Sequence, residues 1–200
     1  MDSRTPIPPG SSSTSLRITN TSLLPNAFGH LPGVLTRLDS YIQLMPHEAH
    51  GDAANSTWIM VVDMTMPIGT NTQYWYGAYH DGVRGTDFWL RRGGTNEAYA
   101  TFTGGEFHIA PNLGVTKGVI CGRHDGLQAC FFVNGTKMNT FTMAVALQGK
   151  LGVRTFIGSR EPPNVRGVDA LYGEMVFYSR SLSDAEIADA SSHLRSKWSV

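Results

Sequence analysis

The feature that most constrains this chain is its C-terminal stretch, LYGEMVFYSRSLSDAEIADASSHLRSKW, where a strand pattern gives way to a helix pattern within a few residues. Residues 171–178 alternate and are rich in aromatic side chains, the period-two signature of a strand with one buried face. Ser181 to Asp184 break that rhythm. Ser183 followed three residues later by Glu186 reads as a capping box, in which hydroxyl and carboxylate each serve one orphan N–H at the start of a helix. Asp184 adds favourable first-turn charge. Ile187, Ala190, Leu194 and Trp198 then recur at steps of three, four and four as one apolar stripe, and Arg195 and Lys197 lie at the negative end of the dipole. One short amphipathic helix closes the chain.

Two hundred residues suffice for one well-filled core, and all-β sandwiches commonly reach this length, so one domain is expected. The 22 Gly and 10 Pro, with 4 Trp, 7 Tyr, 9 Phe and no long apolar run, suit many short strands joined by turns and argue against membrane insertion. Sixteen basic residues balance sixteen acidic ones, so the basic footprint that nucleic acid requires is missing. Residues 1–15 lack periodicity and read as a flexible Pro/Ser-rich arm, with residues 16–200 as the domain. The arm carries no apolar secretory core. That is compatible with a cytosolic protein, a piece of a larger secreted chain, or part of a particle released by lysis, and an extracellular or virion-associated setting is expected. Glycosylation patterns occur at Asn20, Asn55 and Asn134, the last already assigned to a turn with Gly135.

Leu16-Arg17-Ile18 reads as a short edge strand, and the Pro, Asn and Gly between residues 23 and 32 as an irregular loop. Residues 38–45 form a strand through Leu38, Ile42 and Leu44. Residues 57–64 form a stronger one, apolar on both faces and so central to a sheet. In the aromatic run YWYGAYH, Tyr74 and Tyr76 share a face; Asp81-Gly82 then starts a loop lengthened by residues 83–85 before a strand at 87–91. Residues 99–103 and 107–110 pair around Gly104-Gly105. CGRHDGLQACFFVN is the clearest hairpin: with a two-residue turn at Asp125-Gly126, Cys121 faces Cys130 across a non-hydrogen-bonded pair about 4.5 Å apart, sharing a face with Val119 and Phe132. That leaves open a strained disulfide or two buried thiols.

At these residues the chain resembles a known family. The order of a Gly-x-hydrophobic strand, then Tyr178-x-Arg180-x-Leu182-Ser183-Asp184-Ala185-Glu186-Ile187, a helix and Lys197-Trp198, is similar to the C-terminal signature of laminin-G-like domains in the concanavalin A-like lectin/glucanase superfamily. Phe131-Phe132-Val133-Asn134-Gly135 and Thr155-Phe156-Ile157-Gly158 resemble two further strands of that family. The matching pieces span residues 121–198, and residues 38–120 agree in strand rhythm. The resemblance implies an all-β fold, a two-sheet antiparallel jelly-roll β-sandwich with a short C-terminal amphipathic helix. It also implies calcium, for which Asp81 and Asp87 are the first candidates, with Asn96 and Asp169 beside them.

Several members of the superfamily hydrolyse polysaccharides with carboxylates alternating along one strand, and no such spacing exists here. A nucleophile elbow and a phosphate loop are also missing. The expectation is a non-enzymatic module. Exposed rings stack on the apolar face of a sugar while polar groups bond its hydroxyls, and the candidates are Trp75, Tyr76, Tyr79, Trp89 and Tyr99, with Arg84 and Arg91 for an acidic polysaccharide. The expected partner is a cell-surface or extracellular glycan, met by a host-binding spike on a phage-like particle whose capsid holds the N-terminal arm. The alternative is a structural capsid- or tail-associated protein that binds no glycan.

Overall fold

In β5 (Asn55–Asp63) every residue after Asn55 is buried, because the run Trp58-Ile59-Met60-Val61-Val62 is apolar on both faces and is covered on both. The structure, a computed structural model, describes residues 16–19, 21–36, 41–44, 55–63, 73–80, 83–92, 96–102, 105–110, 117–142, 154–157 and 170–200. Around β5 stand β2 (Ser22–Phe28), β3 (Leu31–Thr36), β10 (Lys117–Asp125), β11 (Gln128–Val133), β12 (Thr136–Thr142) and β14 (Ala170–Tyr178). They form one antiparallel sheet in the order β12-β11-β10-β5-β14-β3-β2. The second sheet holds β1 (Leu16–Thr19), β4 (Tyr41–Leu44), β6 (Gln73–His80), β7 (Val83–Arg92), β8 (Asn96–Phe102), β9 (Gly105–Ala110) and β13 (Arg154–Ile157), ordered β1-β4-β13-β6-β7-β8-β9. This is the two-sheet jelly-roll sandwich that the family resemblance implies.

The helix α1 (Asp184–Trp198) adds a third layer. Its stripe of Ile187, Leu194 and Trp198 packs with Ile59, Val61, Val119, Cys121, Cys130, Phe132 and Phe28 on one face of the β5 sheet. The other face, with Trp58, Met60, Ile120 and Phe131, is equally buried in the sandwich interior. The capping box forms as read: Ser183 accepts from the Glu186 N–H, and the Ser183 N–H donates to the Glu186 carboxylate at 2.8 Å. Sheet residues also fasten the helix start. Leu182 N–H donates to Thr57 Oγ1 at 3.0 Å, and Arg123 donates to Leu182 O at 2.8 Å and to Asp184 Oδ1 at 2.6 Å. At the far end Lys197 Nζ and Trp198 Nε1 share Glu174 Oε2 at 2.5 and 3.0 Å.

These ion pairs predict acid sensitivity. Arg180, helped by Ser183, holds the Glu186 carboxyl down at about 2; Lys137 and then Arg123 lower Asp184, and Lys197 lowers Glu174. Groups whose folded pKa is depressed stabilise the fold above their unfolded pKa, and that contribution is lost as pH falls through the folded value. Helix docking is therefore expected to be full above the ordinary carboxylate range and to weaken from about pH 4 down to about pH 2. Far-UV circular dichroism and tryptophan emission on an acid titration check this; a melting temperature that stays flat between pH 7 and 3 would contradict it.

Three expectations are corrected. The stretch between residues 23 and 32 is not an irregular loop but the hairpin β2–β3, turning at Gly29 (φ +68°). Its prolines are tolerated because β2 is an edge strand and the β2–β3 register breaks between Leu24 and Phe28, where Pro25 and Pro32 fall. The loop after β6 is shorter than read, since His80 pairs directly with Val83. The cysteine hairpin also slips: Arg123, not Cys121, is the partner of Cys130, and Cys121 stands opposite Phe132. The reason lies in the turn. Gly126 takes the positive φ of +86° at its first central position with Leu127 second, while Asp125 stays in the strand and its carboxylate accepts from the Gln128 N–H at 2.9 Å.

The slip is two residues, so the cysteines still share a face with Val119 and Phe132, as expected from the alternation. They are now diagonal neighbours, about 7–8 Å apart at Cα, beyond disulfide reach. Both are free and buried. Burial pushes the Cys121 thiol far up, against the opposing pull of Arg123. Native protein is expected to react with a thiol reagent only slowly, and denatured protein to show both thiols. A Cys121–Cys130 cross-linked peptide recovered from folded protein would be the contrary result.

Candidate functional site

The site candidates lie in the second sheet, and its two faces differ in composition. Ile42 and Ile157 are buried and are cross-strand partners, which identifies the interior face. Register carries that face from Ile18 through Ile42 and Ile157 to Tyr76, Phe88, Ala100 and Phe107. Every member of this row is apolar or aromatic, as strand alternation requires of an interior face. The opposite face has another character. One row on it runs Tyr74, Trp89, Tyr99, His108 across four strands. The next runs Gly77, Asp87, Thr101, Glu106, and beyond the aromatic row Arg91 stands opposite Glu97. At the other end of β6, Arg154, Tyr79 and Arg84 are successive cross-strand partners.

The seven candidates from sequence are thus sorted by register. Tyr79, Arg84, Trp89, Arg91 and Tyr99 share the face opposite Ile157, whereas Tyr76 lies on the face of Ile157 itself. Trp75 is the extra residue of a bulge between the Tyr74–Trp89 and Tyr76–Phe88 pairs. Because of that bulge Tyr74 and Tyr76 do not share a face, contrary to the reading from simple alternation; a bulge changes which side of the sheet successive residues serve. Tyr74, His108 and Arg154 join the face without having been candidates. A two-residue turn at Gly104-Gly105 would set Tyr99 opposite Ala110, but Gly105 lies in β9 and the partner of Tyr99 is His108; Arg154 was not legible either, because its partner Tyr79 is 75 positions away (154 − 79).

Of the calcium candidates, Asp81 and Asp169 lie outside the described residues. Asp87 stands between Gly77 and Thr101, and Asn96 opposite Arg92, so neither has a carboxylate as its cross-strand partner. Among the described residues no group of three or more His, Cys, Asp or Glu could hold a metal ion. The histidine of the CGRHD run has a different partner: His124 Nε2 lies 2.7 Å from Ser56 Oγ, both buried, in a cross-strand pair at the interior face of the β5 sheet. Arg123, stacked 5.2 Å from the Phe132 ring, also donates to Cys130 Sγ at 3.2 Å and belongs to the helix attachment.

Two antiparallel sheets of seven strands each define a jelly-roll sandwich. The chain belongs to the concanavalin A-like lectin/glucanases superfamily, whose laminin-G-type family model matches residues 39–188. No curated protein matches its sequence. Solved structures share the fold at low identity. Domain 4 of AbnA, a GH43 extracellular arabinanase from Geobacillus stearothermophilus, in complex with arabinotriose, is 11% identical over 89% of this chain and 87% of that one, with a TM-score of 0.64. The binding domain of botulinum neurotoxin DC in complex with rat synaptotagmin II is 10% identical over 90% and 47%, at 0.67. Trypanosoma rangeli sialidase in complex with sialic acid is 12% identical over 91% and 30%, at 0.69. This chain thus spans about half of the toxin domain and less than a third of the sialidase. No helix among the described residues is long and apolar enough to cross a membrane.

Proposed function

We propose that this domain is a non-catalytic module that binds a cell-surface or extracellular glycan on the face of the second sheet opposite Ile157. The observation that carries this reading is the cross-strand row Tyr74, Trp89, Tyr99, flanked by Asp87, Thr101 and Arg91. Aromatic residues at adjacent strand positions supply stacking surface for the C–H faces of successive sugars, and neighbouring polar groups bond their hydroxyls. The arabinotriose complex of one structural relative and the sialic acid complex of another support the choice of ligand class. Binding without hydrolysis is our reading because no strand of the sequence carries the alternating carboxylates by which several members of the superfamily hydrolyse polysaccharides.

A glycan array paired with a reducing-sugar release assay on the same polysaccharides tests this. Binding without release is expected, and Trp89→Ala should weaken it by about tenfold or more, the loss of about 1.5 kcal/mol of stacking. Release of sugar ends, or wild-type affinity in that variant, would overturn the reading. Display on a phage-like particle is its narrower form, and purified particles lacking this chain would exclude it.

A further inference from the structure

The row at the far end of the same face is of a different kind. Arg154, Tyr79 and Arg84 are directly opposed across β13, β6 and β7, so a guanidinium-bearing residue flanks the tyrosine on each side. Phe156, two positions from Arg154, and Gly77, two from Tyr79, are themselves partners, which keeps Arg154 and Tyr79 on the face of Asp87 and Trp89; Arg84, three positions from Asp87, is brought to that face by its pairing with Tyr79 across a second register shift. Asp87, opposite Gly77, is the carboxylate of the adjoining row. Among the described residues of these two rows, two arginines stand against one aspartate, in a chain whose formal charge is zero. Five positions separate Tyr79 from Tyr74 and Arg84 from Trp89, about 16 Å along the strands.

Resting on the reading of this face as a glycan site, we propose that the glycan is acidic: a chain of carboxylate-bearing sugars whose carboxylate is recognised at the Arg154–Tyr79–Arg84 row while another part of the same chain meets Tyr74, Trp89 and Tyr99. A guanidinium matches a carboxylate with two parallel N–H donors, a geometry that lysine lacks. The span between the rows requires an extended polymer rather than a single sugar.

The test compares full-length protein on polygalacturonate, on the same polymer with its carboxyls reduced to alcohols, and on a sulfated polymer of similar charge density, by affinity electrophoresis at low and high salt. The expected result is retention by polygalacturonate, weakened by salt, with about tenfold or more loss in the double variant Arg84→Gln/Arg154→Gln. The lysine pair Arg84→Lys/Arg154→Lys should recover only part of that affinity, and all variants should keep the wild-type melting temperature. Stronger retention by the sulfated polymer would reassign the row to sulfate and overturn the carboxylate proposal. Equal binding to the reduced polymer, with the arginine variants unaffected, would overturn it while leaving the glycan reading intact. Binding to no polymer, neutral glycans of the array included, would overturn both.

Discussion

Gly122→Ala is expected to destabilise the domain by about 3 kcal/mol, at the upper end of what overpacking a core usually costs. Gly122 sits in β10 opposite Trp58 on one side and Phe131 on the other. A Cβ there would come to 2.5 Å from Trp58 Cζ2 and Nε1, closer than side chains approach one another. The indole has nowhere to go. Trp58 is 2% exposed, lies edge-on to the Phe131 ring at 6.3 Å between centroids, and is among the largest fully enclosed side chains. A rotamer change would have to displace residues of the central strand. The contrast is Gly29, where a Cβ would meet nothing within 4 Å and only its φ of +68° resists alanine, a cost nearer 1 kcal/mol. Chemical denaturation of the two variants separates clash from backbone strain. A Gly122→Ala protein within about 0.5 kcal/mol of wild type would show that the β5–β10 pairing yields more readily than its burial implies.

Trp198→Ala should cost about 3–5 kcal/mol, the range for deleting a buried tryptophan. The ring is 7% exposed at the last turn of α1, edge-on to Phe28 at 5.3 Å and 87°. Gly173 lies beneath it, where a Cβ would be 2.8 Å from the ring, so the strand is shaped to receive this side chain. Its indole N–H bonds Glu174, which Lys197 also holds. Trp198→Phe keeps apolar contact but removes the donor, and about 1–2 kcal/mol is expected for it. Loss of helical circular dichroism ahead of the sheet transition would accompany the alanine variant if α1 undocks first. A single coincident transition at wild-type stability would show that the helix contributes little.

Much of the helix layer was legible in sequence because its signals are local. Ser183 and Glu186 are three residues apart, and the stripe from Ile187 to Trp198 needs only the helical period. The centrality of β5 was equally plain from apolar residues on both faces. The hairpin β2–β3 was not, since Pro25, Asn26, Gly29 and Pro32 look like a loop until the edge position and broken register that accommodate them are known. The cysteine register failed for a narrower reason. Asp-Gly reads as a turn pair, but Asp125 served the turn from outside it, with its side chain, and one residue of turn displacement moves the partner of Cys130 by two. On the candidate face, Trp89 and Tyr99 could be named singly. Their alignment with Tyr74, and the separation of Tyr76 from them, depend on the bulge at Trp75, which alternation does not reveal.

The helix laid across the β5 sheet gives the molecule a front and a back. The sheet beneath α1 is buried on both sides, so the broad face carrying Trp89 and Tyr99 is the far side of the sandwich from the helix. Val200 packs against the helix side, where Ser199 reverses the chain with φ +54°. An attachment made beyond Val200, whether a fluorophore, a sensor surface or a bead, leaves from the back. A tag carried directly after Val200 is therefore expected to leave accessible the face to which we assign glycan binding, which binding measured on protein immobilised through that tag would check.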